Sequence, residues 1–169
     1  MRRPTDPLRK EHKGLLPHIE KLRKLADAVG EAPPETLRRD MDEGYAFLAQ
    51  HLIPHAKAED LALYPVVAKA MGAPQATATM SRDHLEVGRL TGELERLRDR
   101  LSAAAADPVI EKDLRRVLYG LYALVKVHFA KEEEVYLPLL DERLTAGEAQ
   151  DVFEAMERAA SRAQRQPAA

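Results

Sequence analysis

Six side chains able to bind a metal ion recur in a fixed pattern along this chain: His12, then His55 and Glu59, then His84, then His128 and Glu132. On an α-helix, residues four apart differ by about 40° in azimuth and about 6 Å in height, so His55/Glu59 and His128/Glu132 each point one way. The pattern is also duplicated. The run His55-Ala56-Lys57-Ala58-Glu59-Asp60 with Pro65 matches His128-Phe129-Ala130-Lys131-Glu132-Glu133 with Pro138, at a period of 73 residues. Upstream, Leu8-Arg9-Lys10-Glu11-His12 matches Met80-Ser81-Arg82-Asp83-His84 as apolar, any, basic, acidic, histidine. His12 lies 43 residues before His55, and His84 lies 44 before His128. The chain therefore reads as two similar helical hairpins, each with a histidine early and a His-x-x-x-Glu late, which must close on each other to bury their apolar faces.

Four imidazoles and two carboxylates meeting in a leucine-rich interior are costly to bury without partners, and no Arg or Lys lies on the apolar stripes to neutralise them. Divalent metal ions solve this, since they neutralise carboxylates and accept imidazole lone pairs. Six donors exceed what one tetrahedral zinc needs, and two carboxylates are available to bridge. The donor set thus reads as a dinuclear site, with iron the leading candidate. His51, one turn before His55, is a seventh candidate, either a ligand or a support for one. His18 lies about 120° around its helix from His12, which places it at the surface. Glu133 and Glu134 read as a solvated face or as acceptors from the ligands, and the phenols of Tyr45 and Tyr64 lie on the same helix as His55. Protons compete with metal for imidazole, so affinity is expected to fall near pH 6.5 or somewhat below.

The elements that must position these residues are helices. Asp6-Pro7 opens the first, whose apolar stripe runs through Leu8, Leu15, Ile19, Leu22 and Val29 to a stop at Gly30. Pro33-Pro34 opens the second, which ends near Gly72. The third starts near Pro74 and carries Met80, Val87, Leu90, Leu94 and Leu97. Asp107-Pro108 opens the fourth, with Leu114, Leu118, Leu121 and Val125. A capping box, Thr145-x-x-Glu148, begins a short fifth helix with Val152, Phe153 and Met156. The fold class is all-α, an up-down-up-down four-helix bundle with that C-terminal helix. It forms a single domain over residues 1–160, with a frayed polar tail at 161–169. Pro17, Pro54 and Pro65 fall inside helices and should kink them, with a break possible at Pro65.

Composition agrees and excludes other classes. Leucine occurs 23 times against 13 for Val and Ile combined, a balance that favours helix over strand. The absence of cysteine removes disulfides, thiolate metal sites and cysteine nucleophiles, and fits the cytoplasm. A net charge of -2 gives no electrostatic reason to expect nucleic acid or an anionic membrane as partner. There is no apolar run of about 18 residues, so no membrane span is expected, and the charged opening residues lead one to expect no secretory signal. No histidine has a glutamate three residues before it, which argues against a ferritin-like Glu-x-x-His centre.

The order His12, His55/Glu59, His84, His128/Glu132 resembles the hemerythrin-like, or HHE cation-binding, domains of bacterial type, over residues 6–142. The resemblance implies two iron ions joined by carboxylates and an oxo or hydroxo bridge, with an open position for oxygen, nitric oxide or peroxide. Two positions depart from the oxygen-carrying hemerythrins. Gly88 stands where they have a second histidine on the third helix, and Glu133 stands where they have an aspartate. The missing imidazole would then come from His51, and oxidation chemistry would gain over reversible oxygen carriage. The competing functions are a di-iron protein that binds or senses a small ligand or handles iron, a di-iron enzyme decomposing hydrogen peroxide, and a metal-free interaction module. A monomer or a homodimer is expected.

Overall fold

The computed structural model describes residues 3–101 and 107–165, which form five helices and no strand. Helix α1 is Asp6–Ala28, α2 spans 34–71, α3 is Ala78–Asp99, α4 spans 108–143 and α5 is Ala146–Arg165. Cross-links at the ends fix the direction of each helix. Arg115 at the start of α4 donates to the carbonyl of Val29 at the end of α1, at 2.6 Å. Arg38 at the start of α2 donates to the carbonyl of Leu101 after α3, at 3.0 Å. The backbone N–H and hydroxyl of Thr5 donate to Asp141 near the end of α4, at 3.0 and 2.7 Å. Helices α1 and α3 therefore run opposite to α2 and α4, and α4 packs against both α1 and α3. This is the expected up-down-up-down bundle. Among the described residues no helix is long and apolar enough to cross a membrane.

Helix ends follow local chemistry. Asp107 accepts from the N–H of Val109 at 2.9 Å and caps α4. The capping box at α5 forms as expected, Thr145 and Glu148 bonding reciprocally at 2.9 and 3.3 Å. Two boundaries differ from expectation. Residues 74–77 are turn, and α3 begins at Ala78. Helix α5 is 20 residues long and continues through 161–165, which were expected to fray. Its apolar stripe of Ala149, Val152, Met156 and Ala159 is buried, Arg162 and Arg165 suit its C-terminal dipole, and Gln164 donates to the carbonyl of Gln50 at 3.0 Å. Residues 166–169 of the expected tail lie outside the described residues.

The prolines inside α2 and α4 do not break them. A proline lacks the N–H of an α-helical bond, and its ring clashes with the carbonyl four residues back. In each case a turn of π-helix just before the proline accommodates this: Leu48–Leu52 before Pro54, Glu59–Leu63 before Pro65, and Glu132–Tyr136 before Pro138. The residue preceding each proline, Ile53, Tyr64 or Leu137, donates to the carbonyl five residues back. Pro17 sits within a continuous α1.

Two apolar clusters fill the interior. One contains Ile19, Leu22, Leu48, Leu52, Leu94, Leu118 and their neighbours. The other contains Leu8, Leu63, Val67, Met80, Leu137 and Leu140 and extends under α5 through Val152 and Met156. On α1 and α3 the metal-binding candidates fall between the residues of the two clusters. His12 comes after Leu8 and before Ile19, and His84 after Met80 and before Val87. The polar residues thus make one layer across the bundle, sealed above and below.

Candidate metal centre

His12, His55, Glu59, His84, His128 and Glu132 converge in that layer, and both glutamates have 0 % exposure. The two carboxylates sit between two pairs of imidazoles. Glu59 Oε1 is 2.9 Å from His55 Nε2 and 3.5 Å from His12 Nε2, while its Oε2 is 3.3 Å from His84 Nε2 and 4.0 Å from His128 Nε2. Glu132 spans the same two pairs, with Oε2 3.5 Å from His12 Nε2 and Oε1 3.5 Å from His128 Nε2. Ligand atoms of His12, His55 and Glu59 lie within 4.8 Å of one another, and so do those of Glu59, His84 and His128. Each group is the size of a metal site, and Glu59 belongs to both.

The hydrogen bonding shows which atoms are left over. Every Nδ1 of the four histidines faces a carboxylate: Glu133 for His12 at 2.8 Å, Glu11 for His55 at 2.9 Å, Asp60 for His84 at 3.0 Å and Asp83 for His128 at 3.0 Å. That carboxylate accepts a hydrogen bond from the Nδ1–H, which orients the ring and turns Nε2 inward, where it is free to bind a metal ion once unprotonated. In the centre, His12 Nε2, His55 Nε2, both oxygens of Glu59 and Glu132 Oε2 are buried with no hydrogen-bond partner. Five orphaned acceptor or donor atoms in one place are unusual in a native interior. Divalent cations fit them, because every inward atom is a hard or borderline N or O donor.

The supporting carboxylates obey the duplication. Glu11 corresponds to Asp83 and holds the corresponding histidine; the same is true of Glu133 and Asp60. A further layer follows: Arg9 donates to Glu133 at 2.6 Å, and its counterpart Ser81 donates to Asp60 at 2.6 Å. One position breaks the symmetry. The hydroxyl of Tyr64 donates to Glu132 Oε1 at 2.8 Å and lies 3.1 Å from His128 Nε2 and 3.3 Å from His84 Nε2. Its counterpart in the second repeat is Leu137. The phenol therefore serves only the His84/His128 side. Burial and the negative charges of Glu59 and Glu132 hold its proton on far above the ordinary phenol range.

The electrostatics of the protein without metal follow from the same contacts. Burial works against a charged imidazole at His84, but the hydrogen bond to Asp60 and the negative charge of nearby Glu59 outweigh it and push its pKa up to about 9. Burial likewise opposes, and Glu59 and Glu11 overcome, at His55, which is raised well above its usual value. His12 is raised too, through Glu59 and Glu132 against its burial. Glu59 is held well below the carboxylate range by His55, His12 and His84 despite complete burial. Carboxylates packed around His12, His55 and His84 thus make these three rings better bases than free imidazole.

His51 is not brought to this layer. The buried positions of α2 run Leu48, Leu52, His55, Glu59 and Leu63, so the stripe passes through residue 52, and residue 51 is about 100° off it. His51 is exposed and lines a groove between α1 and α2 with His18, whose ring stacks on Phe47 at 4.7 Å. Tyr45 also lies elsewhere, its hydroxyl donating to Glu95 at 2.5 Å beneath the guanidinium of Arg98. Glu134 is exposed, as expected of a solvated face. Sequence reasoning missed the role of Phe129, which stacks on His12 at 4.4 Å and meets His55 edge-on at 5.9 Å. It also missed the roles of Glu11, Asp60 and Asp83, although the repeat already marked all three as acidic in both halves.

Searches of curated proteins and of solved structures each returned no match. Among protein families, the hemerythrin HHE cation binding domain matches residues 3–140, which include every residue of the layer. The duplicated ligand pattern, the buried cluster it builds and this match over most of the chain agree, and the chain belongs to the hemerythrin HHE cation binding domain family.

Proposed function

We propose that the layer holds two iron ions and that the protein binds or senses a small ligand such as oxygen, nitric oxide or peroxide. The observation that carries this reading is the split of each carboxylate between two histidine pairs. One position would be held by His12, His55, Glu59 and Glu132, and the other by His84, His128 and the same two glutamates. The first has four protein donors, fewer than the six an octahedral iron accepts, which supports a free position for an exogenous ligand. At the second the Tyr64 hydroxyl would be available as a fifth donor, since a bound cation would stabilise the phenolate that the metal-free site disfavours. Bound iron supplies Lewis acidity and one-electron redox change. The chain's own residues fix the imidazole tautomers, neutralise the ions and exclude bulk water.

Metal content by elemental analysis, on protein purified from iron-supplemented cells, tests the proposal. Two irons per chain, with oxo-bridge charge-transfer absorption in the near ultraviolet, are expected. No metal, with thermal stability unchanged by chelator, would leave a metal-free helical module and overturn the reading.

A further inference from the structure

A small cavity of about 160 Å³ opens on the side of the first repeat, between α1, α2 and α5. Glu11, His55 and Ala58 form one wall, and Phe153, Met156 and Glu157 of α5 form the other. The cavity thus runs from solvent to the ring of a metal-binding residue that is itself 4 % exposed and has no hydrogen-bond partner at Nε2.

The duplication shows why the opening exists on this side. In the second repeat the residue corresponding to Ala58 is Lys131, and its ammonium pairs with Asp83, the carboxylate that holds His128. There a long side chain stands where the first repeat has a methyl group, and it offsets the negative charge of the supporting carboxylate. In the first repeat the alanine leaves space, and neither Glu11 nor Glu157 pairs with a lysine or arginine among the described residues. Glu11 is also the most exposed of the four carboxylates behind the histidines, at 51 % against 34 % for Asp60, 31 % for Glu133 and 18 % for Asp83. A narrow opening bordered by two carboxylates, with an imidazole at its inner end and a thioether along its side, raises the local concentration of cations.

We propose that this cavity is the port through which divalent metal ions load the centre, with Glu157 and Glu11 drawing the ion in and Ala58 leaving the passage clear. The inference rests on the metal-centre reading above. Its test measures a rate and not the occupancy of the finished centre. Metal-free, full-length protein is mixed rapidly with Co(II), whose uptake into the layer is followed by its visible absorption. Glu157→Lys is compared with Glu154→Lys, a charge reversal at an exposed position of the same helix that does not line the cavity.

At about 10 mM ionic strength, Glu157→Lys should slow uptake about threefold or more, with the difference fading at about 0.5 M salt. Final cobalt content and melting temperature should match the wild type, and Glu154→Lys should load at the wild-type rate. Ala58→Lys, which copies the lysine of the second repeat, should slow loading at both salt concentrations. Equal rates for Glu157→Lys and wild type, or equal slowing by the two glutamate variants, would overturn the port while leaving the centre standing. A wild-type chain that takes up no cobalt would overturn the centre itself, and the port with it.

Discussion

At the scale of single residues, the two oxygens of each glutamate carry the argument. Glu59 Oε1 faces His12 and His55 while Oε2 faces His84 and His128, so this one side chain belongs to both candidate metal positions. A histidine belongs to one. His12→Ala should therefore leave about one metal ion per chain, and Glu59→Ala should leave none bound tightly, a difference that elemental analysis after dialysis reads directly. Loss of one ion in both variants would mean that Glu59 does not bridge. These six residues were legible in the sequence because duplication turned a common motif into a rare coincidence. His51 misled because a nominal spacing of four residues ignores which residue of the turn faces inward, and burial of Leu52 decides that. Tyr64 stood among two phenols that sequence could not separate. Its position depends on the π-helical turn Glu59–Leu63, which brings residue 64 back over residue 59 instead of about 140° around the helix.

At the scale of elements, the π-helical turns and α5 are the features that local sequence signals under-described. The prolines announced three irregularities, and a kink was the natural expectation, yet widening the preceding turn removes the clash while keeping the helix continuous. Two of these turns begin at Glu59 and Glu132 themselves, so the same distortion recurs in both repeats and shapes both halves of the polar layer. Helix α5 packs across residues 53–63 of α2, the segment that carries His55 and Glu59. Its length was under-read because its last turns are polar and only the stripe through Ala159 shows what they continue. Ending the chain at Leu144 removes the burial of Val152 and Met156, at about 1.5–3 kcal/mol for each side chain. For a chain of this size the loss of roughly 4 kcal/mol lowers the melting temperature by roughly 8–16 °C. The truncated protein should also bind a hydrophobic dye through Leu8, Leu63 and Val67, which α5 helps cover. An unchanged melting temperature would show that α5 contributes nothing to the bundle.

At the scale of the whole molecule, the polar layer sets protons and metal in opposition across one pH range. Without metal, the charged His84 is stabilised by Asp60 and Glu59, and its pKa is about 9 in the folded protein against about 6.5 in the unfolded chain. A group whose pKa is raised on folding stabilises the fold fully below its unfolded pKa, and that stabilisation is lost as pH rises through the folded value. The metal-free protein should therefore lose stability between about pH 6.5 and pH 9, by on the order of 3 kcal/mol from this group. His12 and His55, both raised, act in the same direction. Metal binding has the opposite slope, because the ion must displace those protons, and its affinity should rise through the same range. Binding to the native state alone adds stability in proportion to the logarithm of ligand over dissociation constant, about 4 kcal/mol at a thousandfold excess. Thermal unfolding measured from pH 6 to pH 9.5, once in chelator and once with saturating Zn(II), checks both slopes together. The chelated curve should fall, and the gap between the two curves should widen towards pH 9. A gap independent of pH would mean that the ion displaces no protons, and that the four histidines are not its ligands.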